Sequence, residues 1–553
     1  MNLPDGLVAI DNMPQLQNRH RNFTQDLTPG ASFSLRRPTG PSTQAGRYQQ
    51  TTANFQFLID HAIRHSIRLR ALGSNWSFTK VGMAGGGIVD TTKLEEISKV
   101  LTKAMTSPDY LAKGGQAGNL VFTQCGTGIL GLHQRLEPLG KSLRASGASN
   151  GQTIVGAFST GTHGSAFKLG SVHDTVVGIH LICGANRHIW LERASNPVTS
   201  LAFTDWLGVA RENVRLDDDL FNAVVVGFGS FGFIHGVLLE VEKLFLLEEY
   251  SNKRVAYNAD LKRAMRTQEF AGTLAQALQL PVAPNPLADE AYHFQMIVNP
   301  FQFDPDSEDP AKGAYVRILY KKPYAEPYVR RPGVSSQMKF SEDTLGLIQQ
   351  LLNKLHAGQI PGAKRLIVNQ LYDSALEDTN GTAGKVSELF GGTDVEGAAA
   401  SMAIGVSATQ SPDVLNAICR LNAQQPFLGV LGLRWVKQTP ATLGFTRFPV
   451  TCVLELDGVE ADDTRQFYQL VWDWLEKEGI PYTLHWGKIN FSLNADRVRQ
   501  MYTQEKVNSW LRARHDLLDA PTRVVFTNEF MEQCGLAGAP ETSPLTPPAP
   551  ILV

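Results

Sequence analysis

The 553-residue sequence contains no apolar run approaching the ~20 residues that a membrane span requires. Its N-terminus, Met1-Asn2-Leu3-Pro4-Asp5-Gly6, has no basic segment followed by an apolar one. A cytoplasmic protein without a membrane span is the expectation. Net charge is almost absent, with 51 Lys and Arg set against 53 Asp and Glu, so no positive field is available to hold a phosphate polymer. Nucleic acid is therefore not an expected partner. The five cysteines (Cys125, Cys183, Cys419, Cys452, Cys534) are odd in number, scattered and free of any CxxC pair. That pattern signals neither a disulfide framework nor a metal site. No repeat of fixed period is visible, which argues against a solenoid or propeller. What is present is 43% hydrophobic content over a length that implies two or more domains.

Residues 1–45 read as polar and irregular, and the stretch from Gly535 is too rich in proline to pack a core. Between them, Phe55, Leu58, Ile59, Ala62 and Ile63 repeat at helical spacing over Asn54 to Ser66, and Ile67 to Leu72 alternates as a strand does. From Asn119 to about Leu247, short apolar or β-branched runs (120–122, 175–177, 224–226, 237–239) alternate with glycine-rich turns, which predicts one lobe of strands. From Glu248 to Asp496, amphipathic helices at Ser341 to Leu355 and Ala461 to Glu478 alternate with strands at Tyr315 to Tyr320 and Val450 to Leu456. This predicts a second, mixed domain.

Two glycine-rich stretches carry the chemical signal. Gly73-Ser74-Asn75-Trp76-Ser77-Phe78 follows a strand, and Ser159-Thr160-Gly161-Thr162-His163-Gly164-Ser165 follows a run dotted with glycine from Gly147 to Gly156. Glycine lets the backbone approach a ligand with consecutive N–H groups aimed at one spot, and Ser and Thr hydroxyls add donors. Either loop alone is compatible with an ordinary tight turn; two in one lobe favour a pyrophosphate cradle. Gly227-Phe228-Gly229-Ser230-Phe231-Gly232 matches the G-x-G-x-x-G dinucleotide pattern, yet the residues after it read as a strand where that fingerprint needs a helix. A Rossmann nicotinamide site is disfavoured. His61 and His65 sit one helical turn apart with Ala62 where a zinc protease needs glutamate, and read as a solvated pair.

These residues resemble the vanillyl-alcohol-oxidase-type (PCMH-type) FAD-binding oxidoreductases, in their sugar-lactone and alditol oxidase branch, of which D-arabinono-1,4-lactone oxidase-like enzymes are part. The segment 70–78 resembles the first pyrophosphate loop and 147–165 the central FAD segment. The segment 228–234 resembles the strand-turn-strand closing on the cofactor. His485-Trp486-Gly487-Lys488 resembles the signature beside the substrate, and 525–530 the return to the FAD lobe. The resemblance implies an α+β, two-domain FAD-binding fold with a mixed α/β substrate domain. Its implied parts are an extension (1–45), an FAD-binding domain (46–247), a substrate-binding domain (248–496), a C-terminal return (497–534) and a tail (535–553). It implies FAD contacts from Gly73, Ser74, Asn75, Trp76, Ser77, Ala148, Thr153, Gly156, Thr160, Gly161, Thr162, His163, Gly164, Ser165, Gly229, Gly232 and Ile234. Lys488, Arg434 and His485 are the implied catalytic residues, the two cations stabilising charge on the flavin or lining the substrate side. His163 reads as a donor or packing group rather than a proton shuttle.

Two departures from the family pattern matter. Trp76 stands where many relatives carry the histidine that bonds to the flavin, and no cysteine lies in 144–156, so non-covalent FAD is expected. Gly432 stands where the pattern has a glutamate two residues before the arginine, leaving Glu455, Asp457 or His485 as candidate proton acceptors. The implied activity is an FAD-dependent alcohol oxidase taking hydride from a CH–OH group of a polyol, sugar lactone or similar small molecule, with oxygen as acceptor. A dehydrogenase using another acceptor, or an oxidase of bulkier, less polar substrates, is the alternative. A scaffold that has kept the fold and lost the flavin is the third reading.

Overall fold

The computed structural model describes residues 2–147, 150–281, 290–329, 361–390 and 398–540. Ala148, the helix expected over 341–355 and most of the proline-rich tail lie outside the described residues.

Helix α1 (Gln44–Arg64) starts at Thr43, whose hydroxyl accepts the Gly46 N–H, well upstream of the apolar period that predicted it. Its buried face carries Tyr48, Phe55, Leu58, Ile59 and Ala62. Strands β1 (Leu7–Ala9), β2 (Phe33–Leu35), β3 (Leu69–Leu72) and β4 (Gly87–Asp90) form one sheet in the order β1-β2-β4-β3. The N-terminal segment, expected to be irregular, thus supplies half of this sheet. Leu7, Phe33 and Leu35 bury against Phe55 and Leu58 of α1; strands of three residues are too short to display alternation in sequence.

A second sheet joins β5 (Ser98–Val100), β6 (Leu120–Gln124), β7 (Val176–Gly184), β8 (Arg187–Glu192), β9 (Val214–Leu216) and β10 (Phe233–Glu240) in the order β9-β8-β7-β10-β6-β5. Between β6 and β7 lies the short helix α2 (Ile154–Ser159), capped by the Thr153 hydroxyl on the Gly156 N–H. The valines at 224–226, read as a strand, instead end helix α3 (Asp218–Val225). The Asp217 carboxylate accepts the Leu220 N–H, and Asp218 and Asp219 complement the helix N-terminus. That cap and the burial of Phe221, Val224 and Val225 outweigh β-branched propensity. The Gly227–Gly232 run therefore joins a helix to a strand, a correction to the strand-turn-strand expected there, and the strand β10 follows it as predicted.

The third sheet has eight strands: β11 (Phe245–Val255), β12 (Glu290–Val298), β13 (Ala314–Pro323), β14 (Thr379–Gly384), β15 (Ala399–Ser407), β16 (Gly429–Lys437), β17 (Val450–Val459) and β18 (Thr483–Leu484). Their order is β14-β11-β13-β12-β16-β17-β15-β18, and its described pairings are antiparallel. Side chains alternate between its faces. One face is apolar: Phe294, Met296, Ile318, Leu431, Leu433 and Leu454 pack under α4 (Ser411–Gln424) and α5 (Asp462–Lys477), each buried side chain stabilising by roughly 1.5–3 kcal/mol. The other face, set by the same register, carries polar residues. Gln295 stands opposite both Arg317 and Arg434, Gly432 opposite Glu455, and Ser401 opposite Asp457.

After this sheet the chain returns to the first lobe through α6 (Gln504–Leu517) and α7 (Glu529–Gln533). The Trp510 indole donates to the Ala223 carbonyl (3.1 Å), and the buried guanidinium of Arg70 donates to the carbonyls of Gly229 and Phe526. Phe526 packs on Phe233 with Val525 in the same cluster.

Candidate active site

The first glycine loop leaves β3 at Leu72. A Cβ on Gly73 would stand 2.3 Å from the Thr153 hydroxyl, so this loop and the cap of α2 touch. Asn75 adopts φ +57°, in the left-handed region that asparagine tolerates, and its amide donates to the Gln17 carbonyl. The Asn18 amide donates to the Ser77 carbonyl (3.0 Å), and His20 stacks on Phe78 at 4.1 Å with its edge toward Trp76. The N-terminal segment therefore braces the loop. Sequence reasoning missed Asn18 and His20, and no local motif marks them. Burial pushes the His20 imidazole down to about 3, aided by the charges of Lys488 and Arg19.

The second loop turns on Gly161 at φ +88°, and a Cβ on Gly164 would stand 2.2 Å from the Ser146 carbonyl oxygen. Ser165 ends the loop as a wedge in the third sheet. Its hydroxyl donates to the Phe294 carbonyl and accepts the Trp435 N–H (2.9 Å), so it sits beside the residue that follows Arg434. His485-Trp486-Gly487-Lys488 closes the ring: the Phe78 N–H donates to the Gly487 carbonyl (2.8 Å) and the Thr79 hydroxyl to the Trp486 carbonyl (2.9 Å). Both glycine loops, β16 and the segment 485–488 are thereby one connected unit. In the third run, Gly229 (φ +69°) lies over Arg70. Gly232 packs against the β7 backbone, where a Cβ would stand 2.3 Å from the Ile182 carbonyl oxygen, and Ile234 pairs with Leu181 inside the sheet.

On the polar face, Arg434 pairs with Glu455 at 3.1 Å, and Nε2 of His163 lies 3.9 Å from the same carboxylate. His163 Nδ1 is 2.9 Å from the Gly164 carbonyl and donates to it, so Nε2 of the neutral ring is a lone pair. Burial first, then the charge of Arg434, holds this imidazole down at about 3. The Lys488 ammonium donates to the Ser401 hydroxyl (2.6 Å), which donates to Asp457, and lies 5.0 Å from the Phe78 ring. Burial raises the Asp457 carboxyl and the neighbouring Lys488 charge opposes that shift. His485 accepts the Gly487 N–H at Nδ1 (3.0 Å), which places the proton of the neutral ring on Nε2. Burial, then His163 and Lys488, keeps it well below the ordinary imidazole value. His61 and His65 remain a helix-flank pair with rings 4.4 Å apart, and no metal cluster occurs among the described residues.

A dinucleotide fits these loops. Among the described residues no acceptor is found for the backbone N–H groups of Ser74, Asn75, Trp76 and Ser77, nor for those of His163, Gly164 and Ser165. Consecutive free N–H groups form an anion nest. Trp76 Nε1, Asn150 Nδ2 and Gln152 Oε1 are buried without a protein partner, as polar atoms are where a ligand completes them.

Residues 47–192 match the family model of the FAD binding domain. The chain is 28% identical over 218 residues to L-gulonolactone oxidase 3 of Arabidopsis thaliana, a match spanning 38% of this chain and 31% of that protein. It is 22% identical over 480 residues to the L-gulono-1,4-lactone dehydrogenase of Mycobacterium tuberculosis, covering 86% of this chain and 91% of that one. Among solved structures, a cholesterol oxidase from B. sterolicum superposes with a TM-score of 0.67 at 16% identity, over 96% of this chain and 98% of that chain. At that identity the likeness is one of fold.

Proposed function

We propose that this chain, a PCMH-type FAD-dependent oxidoreductase of the sugar-lactone oxidase-like branch, oxidises a CH–OH group of a polyhydroxylated small molecule, a sugar lactone or related polyol. When bound, FAD supplies the acceptor for a hydride from the substrate carbon. Gly73, Ser74, Asn75, Trp76 and Ser77 hold its diphosphate with the loop Thr160–Ser165, and Thr153, Gly156 and Gly229 shape the cradle. Arg434 and Lys488 face the reacting end, where fixed cations stabilise developing negative charge on oxygen. His485, neutral and carrying its proton on Nε2, offers a donor that fixes the position of a substrate oxygen.

The observation that carries this reading is the polar sheet face. Ser401, Asp457, Glu455, Arg434 and Gln295 share it, and the strand backbones at Phe294 and Trp435 are hydrogen-bonded through Ser165 to the second glycine loop. A row of charges and hydroxyls binds a substrate rich in hydroxyl groups and leaves a sterol unpaired with it. Anaerobic mixing of the FAD-loaded protein with L-gulono-1,4-lactone, D-arabinono-1,4-lactone and linear polyols tests it. Bleaching of the visible flavin band by one of them is expected, and full colour with all of them overturns the reading.

We assign oxygen as the electron acceptor and non-covalent attachment of the FAD, since Trp76 offers no nucleophile to the flavin. Peroxide release under air and flavin left in the supernatant after acid precipitation are the expected results. The long alignment with a protein named a dehydrogenase favours the competing acceptor. Turnover under nitrogen with an artificial acceptor, without peroxide under air, establishes that alternative.

A further inference from the structure

We propose that Glu455 is the group that takes the substrate hydroxyl proton, standing across the strand pair from the bare position at Gly432. The proposal rests on the oxidoreductase reading above.

Register places the two residues directly opposite, and a Cβ on Gly432 would lie 3.6 Å from both the Cβ and Oε2 of Glu455. The carboxylate therefore lies over the space a side chain at 432 would fill. Four groups beside this face present an acceptor, and their surroundings separate them; the Nε2 lone pair of His163 is one, but burial and the charge of Arg434 hold that imidazole down at about 3. His485 already accepts the Gly487 N–H at Nδ1, which leaves Nε2 as a donor. Asp457 is occupied by the Ser401 hydroxyl, itself held by Lys488. Glu455 receives one guanidinium, from Arg434, and faces an acceptor, Nε2 of His163, at 3.9 Å. That separation is too long for a hydrogen bond, and neither atom can donate to the other while the carboxylate is ionised. Two acceptors beside one cation make a place for one hydroxyl hydrogen.

The substrate O–H bond breaks and its proton passes to a Glu455 oxygen, which becomes a neutral carboxyl. The oxygen electron pair becomes the second bond of the new carbonyl as the C–H pair leaves as hydride to the acceptor that FAD provides. Arg434 holds the carboxylate beside the oxygen that gives up its proton. His163 is a positioning residue: its buried neutral ring walls the site beside Glu455, with Nε2 3.9 Å from the carboxylate. The charged or titratable groups facing Glu455 are Arg434 from β16, His163 from the second glycine loop, Asp457 from its own strand and, through Ser401, Lys488.

Three forms of the FAD-loaded protein test this with L-gulono-1,4-lactone as probe: wild type, Glu455→Gln, and the exchange Gly432→Glu/Glu455→Gly. Measured for each are the anaerobic flavin-reduction rate against pH, the lactone Kd from its perturbation of the flavin spectrum, and the melting temperature. The wild-type rate is expected to rise with pH through one ionisation. Glu455→Gln is expected to reduce flavin at least about 100-fold more slowly and to lose that rise, with Kd changed less than about tenfold. The exchange returns the carboxylate to the same space from the other strand and is expected to recover the rise and at least about a tenth of the rate; it also decides the matter where Glu455→Gln fails to fold. A Glu455→Gln protein that keeps the wild-type rate and pH rise overturns the proposal. So does an exchange protein that binds lactone but shows no pH rise. Should the wild type itself stay coloured with every lactone and polyol, the oxidoreductase reading falls first and takes this proposal with it.

Discussion

Arg317 and Glu249 join β13 to β11, and Arg434 and Glu455 join β16 to β17, on the same face of the same sheet. The first pair, at 2.7 Å, is sealed, with side chains 1% and 0% exposed and Phe390 within 5.6 Å of the guanidinium. The second, at 3.1 Å, keeps its arginine 12% exposed beside the glycine loops. Chemically identical pairs whose arginines flank β12, two strand spacings or about 10 Å apart, thus meet different surroundings. A sealed pair has already exchanged its water for its partner, so losing one member strands a charge in a dry interior. A pair whose arginine keeps some exposure leaves part of its charge available to a ligand. The lesson is that position within the sheet, not residue type, divides structural from chemical work.

The largest effect should come from breaking the sealed pair. Arg317→Met is expected to lower unfolding stability by about 3–5 kcal/mol, seen as a falling melting temperature. Arg317→Met/Glu249→Leu should recover most of it, since an apolar pair of similar volume replaces the charges. If Arg317→Met melts like the wild type, the distinction between the pairs fails. The open pair should respond in the opposite channel. Arg434→Met is expected to slow flavin reduction by the lactone about 100-fold, roughly 2.7 kcal/mol, while costing less stability than Arg317→Met, because its pair is 12% and 5% exposed where the sealed pair is 1% and 0%. A variant that loses stability and keeps its rate would invert the assignment.

Gly164→Ala sharpens the contrast between backbone-built and side-chain-built parts. The Ser146 carbonyl must give way by more than a side chain would, at a cost of about 1–3 kcal/mol, with flavin content per chain falling before the fold does. Retention of full flavin content would show that the close approach is not part of the cradle.

The smallest effect per group is the response to acid, shared by both lobes. His20, His133, His163, His173, His180, His235, His293 and His485 are all buried. Burial lowers each of them, to about 3 for His20 and His163 and about 4 for His133. Below pH 6.5 the unfolded chain takes up protons that the folded one refuses. Stability is therefore fully present above that pH and is lost as pH falls toward the folded values. Between pH 7 and 5.5 His20, His133 and His163 should each cost about 1 kcal/mol. A melting temperature unchanged across that interval would mean these imidazoles are not held neutral.

The glycine loops and the segment His485–Lys488 were legible because each is contiguous: its chemistry and its spacing occupy neighbouring residues. Strands β7, β10, β13 and β17 were legible from apolar runs of sufficient length. The pairing of Gly432 with Glu455 was not, because register is a relation between distant strands that alternation along either one leaves open. The valines ending α3 misled because a capping aspartate seven residues earlier outweighs their preference. The wedge made by Ser165 and the brace from Asn18 and His20 depend on single side chains meeting across the fold, and no periodicity announces them.

A crystal structure of the protein loaded with FAD tests the central claim most directly. The account predicts the diphosphate against the N–H groups of Ser74–Ser77 and the loop Thr160–Ser165, with the isoalloxazine facing Arg434 and Lys488. Density for the nucleotide elsewhere, with those N–H groups bound only to solvent, would contradict it.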